Sequence, residues 1–318
     1  MAEEKLVLKA GVVLPYLSNF QMSADGENFI FTDLDLSNKG IEQLNKFIEE
    51  AKEVYNVNMA GNNLADPTFL KELQNIIRLD LARNKIKNVA AFCTDEYFKN
   101  LKWLDLQNNK IVEMPNLVCP QLEYLDISYN KLEKINEGWL GHNNLRIVKS
   151  IENKFKSLQV FKNMSKLEEL YVANNLISSL MGLEGTGSLK KLHLRHNKVT
   201  KVEEEGLPDL PNLEYLNLRT NTMADWNDFV NLVKAYPSCK DINILNCPLE
   251  LEFSSMNLLI ADVLALKPSM VRFCKIEITD KHKLEAVYYS QYKWTKAEEV
   301  RKAKEEEERK KAEAEGEG

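Results

Sequence analysis

One pattern, Leu-x-x-Leu-x-Leu-x-x-Asn-x-Leu with conservative exchanges, can be laid on this chain ten times. Clear copies are Ile76-Leu79-Leu81-Asn84-Ile86, Leu101-Leu104-Leu106-Asn109-Ile111, Leu122-Leu125-Ile127-Asn130-Leu132 and Leu167-Leu170-Val172-Asn175-Ile177. Leu189-Leu192-Leu194-Asn197-Val199 and Leu213-Leu216-Leu218-Asn221-Met223 are equally clear, and Val54-Val57-Met59-Asn62-Leu64 follows with small exchanges. A degenerate copy, Leu145-Val148-Ser150-Asn153-Phe155, sets a serine where an inward apolar residue belongs. The outer copies replace the asparagine, with Lys39 in Leu34-Leu36-Lys39-Ile41 and Cys247 in Ile242-Ile244-Cys247-Leu249. The asparagines at 62, 84, 109, 130, 153, 175, 197 and 221 follow one another at 21 to 25 residues. Such a period marks an array in which each unit buries its apolar face against its neighbours.

The spacing dictates local structure. Leucines two apart share one face of a strand, so each copy contributes a short strand with its apolar side inward. The chain then turns, and an inward asparagine can satisfy the turn's backbone groups. The expected fold is an α/β solenoid: a leucine-rich-repeat horseshoe of about ten repeats with a parallel concave sheet, plus a charged C-terminal helix. Helix-like stretches such as Ile41–Val54 and Asp225–Tyr236 are expected to cover the convex side. Residues 1–30 form an N-terminal cap (Leu6, Leu8, Val12, Val13, Leu14, Leu17, Phe20), 31–249 the repeats, 250–279 a C-terminal cap and 280–318 the tail. In the C-terminal cap, Leu258, Leu259, Ile260, Val263, Leu264 and Leu266 are expected on a helix, followed by a strand-like Val271–Ile278.

Composition excludes several functions. Of 318 residues, 44% are hydrophobic, enough for a sizeable core, and the net charge of −6 opposes general nucleic-acid binding. No apolar run approaches the roughly 18–20 residues that span a bilayer. Met1-Ala-Glu-Glu-Lys5 sets acids where a secretory signal needs bases. Five scattered cysteines, odd in number and without CxxC spacing, fit a reducing compartment, and the sequon at Asn163 is expected to go unused. No phosphate loop, dinucleotide fingerprint, nucleophile elbow or HExxH pattern occurs. His193 and His196 lie close together but lack a third ligand, and Cys247 fills an inward slot, so no metal, cofactor or small-molecule substrate is expected.

The concave face carries the functional signal. Residues alternating with the inward leucines must face out. The central outward series reads Asp35, Asn58, Asp80, Asp105, Asp126, Lys149, Tyr171, His193, Asn217, Asn243. One step earlier lie Asp33, Asn56, Arg78, Trp103, Tyr124, Ile147, Glu169, Lys191, Tyr215 and Asp241; one step later come Arg195 and Arg219. Aromatics with arginine are the composition of interface anchors, and a charge-polarised trough orients an elongated partner. The candidate contacts are Asp80, Trp103, Asp105, Tyr124, Asp126, Tyr171, His193, Arg195, Tyr215 and Arg219. For the Asp column, binding and solubility are equally good explanations. In the tail, Tyr288, Tyr289, Tyr292 and Trp294 are candidates for docking on a neighbour. Beyond them a solvated, partly frayed helix is expected, with Gly316-Glu317-Gly318 disordered.

The sequence resembles the leucine-rich-repeat proteins of ciliary radial spokes associated with the third spoke, within the intracellular SDS22-like proteins. The resemblance rests on Leu167-Glu-Glu-Leu-Tyr-Val-Ala-Asn-Asn175, Leu189-Lys-Lys-Leu-His-Leu-Arg-His-Asn197 and Leu213-Glu-Tyr-Leu-Asn-Leu-Arg-Thr-Asn-Thr-Met223. The closing turn Leu245-Asn-Cys-Pro248 and the charged run after Ala297 extend it. It implies a non-catalytic scaffold of the cytoplasmic ciliary axoneme whose partners are other spoke subunits. A regulatory binding module, such as a phosphatase-targeting subunit, is the alternative.

Overall fold

The computed structural model describes residues 7–8, 13–44, 51–94, 96–135, 142–203 and 205–316. Its centre is one open sheet of 13 strands. Ten of them are the repeat strands, paired in parallel from Phe29–Asp35 through Asn56–Asn58, Arg78–Asp80, Trp103–Asp105, Tyr124–Asp126, Ile147–Lys149, Glu169–Tyr171, Lys191–His193 and Tyr215–Asn217 to Asp241–Asn243. The register never slips: Leu34, Val57, Leu79, Leu104, Leu125, Val148, Leu170, Leu192, Leu216 and Ile242 stand abreast, each no more than 2% exposed.

The asparagines form a continuous ladder beneath the turns. Asn109 donates to Leu81 O and Leu106 O at 3.0 Å and accepts from Ile86 N at 3.0 Å. Asn84 also donates to Leu81 O, and Asn130 also donates to Leu106 O, so each carbonyl serves two successive side chains. The same sharing occurs at Met59, Ile127, Val172 and Leu194. Ser150 keeps the ladder whole in the degenerate repeat: its Oγ accepts from Asn153 and its carbonyl from Asn175. At the far end Cys247 Sγ contacts Leu218 O at 3.2 Å, closing the series with a thiol.

The residue before each ladder position is left-handed, from Asn38 and Gly61 through Arg83, Asn108, Tyr129, Glu152, Asn174, His196 and Thr220 to Asn246. Thr220, at φ 56°, is β-branched in a region such residues avoid, and among the described residues its buried Oγ1 has no hydrogen-bond partner.

On the convex side the helix expected over Asp225–Tyr236 forms, while most other covering segments are shorter. Repeats this short leave little chain to return, and the covering segments are mostly 3₁₀ turns: Thr68–Glu72, Ala90–Phe92 and Leu158–Phe161. A full helix, α1 (Trp226–Ala235), forms in the longest interval, between Asn221 and Cys247, capped by Asp225. The expected helix over Ile41–Val54 falls partly outside the described residues; Gln43–Leu44 there pairs in parallel with Val7–Leu8. A second small parallel pair joins Glu113–Met114 to Lys134–Ile135.

At the N-terminal end Leu17–Met22 pairs antiparallel with Phe29–Asp35. Val13 and Leu17 are buried, whereas Leu14 and Phe20 are exposed. The hairpin runs past the first repeat, and Phe20 packs instead on its cross-strand neighbours Phe29 and Phe31, at 5.3 and 5.0 Å. Leu6 and Val12 lie outside the described residues, as does the side-chain environment of Leu8.

At the C-terminal end α2 (Pro248–Leu251) and α3 (Met256–Leu266, capped by Ser255) seal the core with Leu249, Leu259, Ile260, Val263 and Leu264. The strand-like Val271–Ile278 is a hairpin of Arg272–Phe273 and Ile276–Glu277, turned through Cys274 and Lys275, both at positive φ. The tail forms one helix, α4 (Asp280–Gly316), so Gly316 is helical rather than irregular; 317–318 lie outside the described residues.

Replacing Asn109 by Ala orphans the buried Ile86 N–H and empties half the acceptor capacity at two carbonyls. The expected loss is roughly 2–3 kcal/mol, read as a lowered denaturation midpoint. Thr220→Asn, which tolerates the left-handed backbone, should raise the midpoint by an amount equivalent to about 0.5–1 kcal/mol.

Candidate functional site: the concave face

Because the strands are in register, the outward residues stand in columns, and side chains on adjacent strands, about 4.8 Å apart, are at stacking distance. They form an unbroken π and cation–π ladder, one member per strand. The Arg78 guanidinium lies 3.8 Å from the centre of the Trp103 ring, and Trp103 stacks on Tyr124 at 4.9 Å. Lys149 Nζ bridges Tyr124 and Tyr171, 5.2 and 5.8 Å from their ring centres. Tyr171 stacks on His193 at 4.3 Å, and His193 meets Tyr215 at 4.7 Å. Burial between these rings lowers the His193 pKa to about 4, so the imidazole is neutral at pH 7.

The tyrosine hydroxyls are tied down beside the ladder. Tyr171 donates to Glu169 at 2.5 Å, Tyr124 donates to Asp126 at 3.3 Å, and Tyr215 accepts from Asn217 at 3.0 Å. Lys191 pairs with Glu169 at 2.8 Å. Burial works to raise Glu169, yet these bonds hold its pKa below the ordinary value. Burial also pushes the Tyr124, Tyr171 and Tyr215 phenols up, keeping them protonated.

The acidic column has a local task. Asp80, Asp105 and Asp126 each accept, through Oδ1, the backbone N–H two residues on, at Ala82, Gln107 and Ser128. Asp35, Asn58, Asn217 and Asn243 make the same bond. The column therefore pins the exit of each strand, a local role that accounts for its Asp/Asn preference without either binding or solubility. Burial, with Asp126 and Asp80 on either side, raises the Asp105 pKa to about 6. At Lys149, where the column departs from Asp or Asn, Ser128 Oγ takes over, accepting from Ile151 N at 3.0 Å.

Of the residues singled out in the sequence, Trp103, Tyr124, Tyr171, His193 and Tyr215 are brought into one ladder and Asp80, Asp105 and Asp126 into one column. Arg195 and Arg219 follow the ends of the strands that carry His193 and Tyr215; among the described residues the buried Arg219 Nε has no hydrogen-bond partner. Arg78 and Lys149, outside the candidate set, complete the ladder; their positions in the outward columns were the available signal. A cleft of about 380 Å³ lies beside the acidic column, lined by Asp80, Arg83, Gln107 and Tyr129, with Ala60 and Ala82 leaving the room. In the tail, Tyr288, Tyr292 and Trp294 are more than half exposed. Tyr289 is turned inward against the array's core, which removes it from the candidate contacts.

All five cysteines are free thiols, and burial raises Cys119, Cys239 and Cys274 to about 12. Among the described residues no group of His, Cys, Asp and Glu could hold a metal, and no helix is long and apolar enough to cross a membrane.

Residues 99–138 and 188–231 match the family described as leucine-rich repeats in two copies. The chain is 32% identical over 165 residues to lumican of Oryctolagus cuniculus, covering 48% of this chain and 84% of that lumican. It is 30% identical over 168 residues to podocan of Mus musculus, covering 50% of this chain and 27% of podocan, so it spans about a quarter of podocan's length. The TLR13 chain in the crystal structure of the TLR13–ssRNA13 complex shares the fold. It has a TM-score of 0.58 and 20% identity, and the match covers 80% of this chain and 39% of that one. The chain belongs to the leucine-rich-repeat proteins. Members of this family act generally in protein–protein interaction.

Between its ordinary value of 3.8 and about 6, folded Asp105 binds a proton that the unfolded chain has released. Stability from this group is therefore present at low pH and lost as pH rises through that window. Asp105→Asn keeps the Oδ1 cap and removes the charge. At pH 7.5 it should be more stable than the parent by about 1–3 kcal/mol, a difference that vanishes near pH 4. Thermal melts across this range read the effect, and a variant less stable at pH 7.5 would contradict it.

Proposed function

We propose that this chain is a non-catalytic scaffold of the ciliary axoneme, a subunit of the third radial spoke. It grips neighbouring spoke subunits through the concave face and the exposed tail aromatics Tyr288, Tyr292 and Trp294. The observation that carries the binding role is the ladder from Arg78 to Tyr215. It is flat, rigid and amphipathic, and its side chains are already immobilised by their neighbours. A partner that lies on it gains aromatic contact at little further entropic cost. Charge flanks the ladder unevenly, acidic towards Asp80–Asp126 and basic towards Lys191, Arg195 and Arg219, which fixes the direction in which a partner lies.

The spoke assignment is supported by the segments Leu167–Asn175, Leu189–Asn197 and Leu213–Met223 with the Leu245–Pro248 turn and charged tail. The setting is cytoplasmic and reducing, in keeping with five free thiols.

Two measurements test the reading. Tagged protein followed through detergent and then salt extraction of isolated cilia should stay with the axoneme after detergent and leave with spoke proteins at high salt. Recovery in the soluble cell body with a phosphatase would replace the scaffold by a regulatory subunit. The triple change Trp103→Ala, Tyr124→Ala and Tyr215→Ala removes half-buried surface rings and leaves the inward leucines intact. It should cut axonemal incorporation several-fold while the far-ultraviolet dichroism persists; undiminished incorporation would sink the trough as the gripping surface.

A further inference from the structure

The segment of α4 that docks on the array has a second, palindromic face. Docking uses Ala286, Tyr289 and Lys293: Ala286 is buried, Tyr289 packs on the core, and Lys293 Nζ reaches both carboxylate oxygens of Asp262 at 2.8 Å. Beside this contact, along the edge of the groove between α3 and α4, runs a stripe that begins Asp280, Lys283, Val287 and ends Trp294, Glu298, Arg301, with Ser290 and Gln291 at its centre. Its steps of three and four residues keep it on one side of the helix over about 33 Å. Val287 and Trp294 are 54% and 69% exposed, large apolar surface for a helix whose other side is already packed. Val287 also borders an apolar groove of about 440 Å³ between α3 and α4, walled by Leu264, Ala265, Pro268 and Ala286.

We propose that this stripe joins two copies of the chain, their α4 helices antiparallel about a two-fold axis that passes between Ser290 and Gln291. In that register Val287 meets the partner's Trp294, whose indole enters the groove, and the reciprocal contact follows by symmetry. Lys283 meets Glu298 and Asp280 meets Arg301, so every charged position faces its opposite. Within one chain Asp280 pairs with Lys283 at 3.6 Å and Glu298 with Arg301 at 3.4 Å. Association joins these surface pairs into a four-charge cluster at each end of the interface. Parallel pairing would set Asp280 on Asp280 and Glu298 on Glu298, and the charges select against it. Beyond Arg301 the helix carries almost only Lys, Arg, Glu and Ala, so the contact ends where the apolar pair and its flanking charges end. This surface lies outside the concave face, so the inference does not depend on the partners that bind there; of the tail aromatics it engages Trp294 and leaves Tyr288 and Tyr292 exposed for other subunits.

Sedimentation of the full chain over a range of concentrations tests it. The expected result is a monomer–dimer equilibrium that weakens with added salt. Trp294→Ala, Lys283→Glu and Glu298→Lys should each raise the dissociation constant at least about tenfold. All three sites are at the surface, and far-ultraviolet dichroism checks that each variant is folded. The decisive step is to mix Lys283→Glu with Glu298→Lys. In the mixed dimer every 283–298 contact again joins opposite charges, so association should return. A chain monomeric at every concentration, a dimer indifferent to Trp294→Ala, or a mixture that stays dissociated would each overturn the proposal.

Discussion

Each inward asparagine is a three-way connector between the strand it follows, the strand before it and the turn of the preceding repeat. A turn in an array leaves backbone N–H and C=O groups facing the core, away from water, and each one left unpaired costs about 1–3 kcal/mol. The asparagine amide is small enough to enter the core and offers both donors and acceptors. Since successive asparagines share carbonyls, as Asn84 and Asn109 share Leu81 O, neighbouring turns cannot shift independently. Each repeat touches only its neighbours, so this sharing transmits a single register along the array.

That register produces the concave surface. With the inward residues fixed abreast, the outward ones are fixed too, and a ring on one strand stands at stacking distance from a ring on the next. The ladder from Arg78 to Tyr215 is therefore a consequence of strand pairing as much as of side-chain choice. Rigidity has a further effect: the Tyr171 and Tyr124 hydroxyls are held by carboxylates, and His193 is kept neutral between rings. The face thus offers a partner a prearranged pattern of π surfaces and charges.

The repeat strands, their inward leucines and the asparagine ladder could be read from the sequence because each follows a fixed period that side-chain chemistry enforces. Ser150 was visible as a departure; its use as an acceptor for Asn153 required the geometry of the neighbouring turns. Of the expected convex helices, Asp225–Tyr236 forms as α1, whereas shorter intervals close in 3₁₀ turns such as Thr68–Glu72, because periodicity within a few residues does not separate a 3₁₀ turn from the start of a helix. Phe20 and Tyr289 failed in opposite directions for one reason. Whether an aromatic near a chain end faces core or solvent depends on where the array stops, which no local pattern encodes. Arg78 and Lys149 were placed in the right columns, but their contacts depend on side-chain torsions set by neighbouring strands.

The acidic column shows how one residue type can serve fold and surface together. One oxygen of each carboxylate closes the turn two residues on, a bond that an asparagine amide oxygen makes equally well at 58, 217 and 243. Choosing Asp at 80, 105 and 126 therefore adds nothing to the cap that Asn lacks, while it places like charges on adjacent strands. Asp105, with a carboxylate on each side, bears that cost most directly. Charge at these positions is separable from structure, because Asp→Asn preserves the cap and the side-chain shape. A neutral column would leave the array's turns as they are and strip the trough of its polarity, so the cost that folding accepts there is the electrostatic feature a cationic partner segment can use.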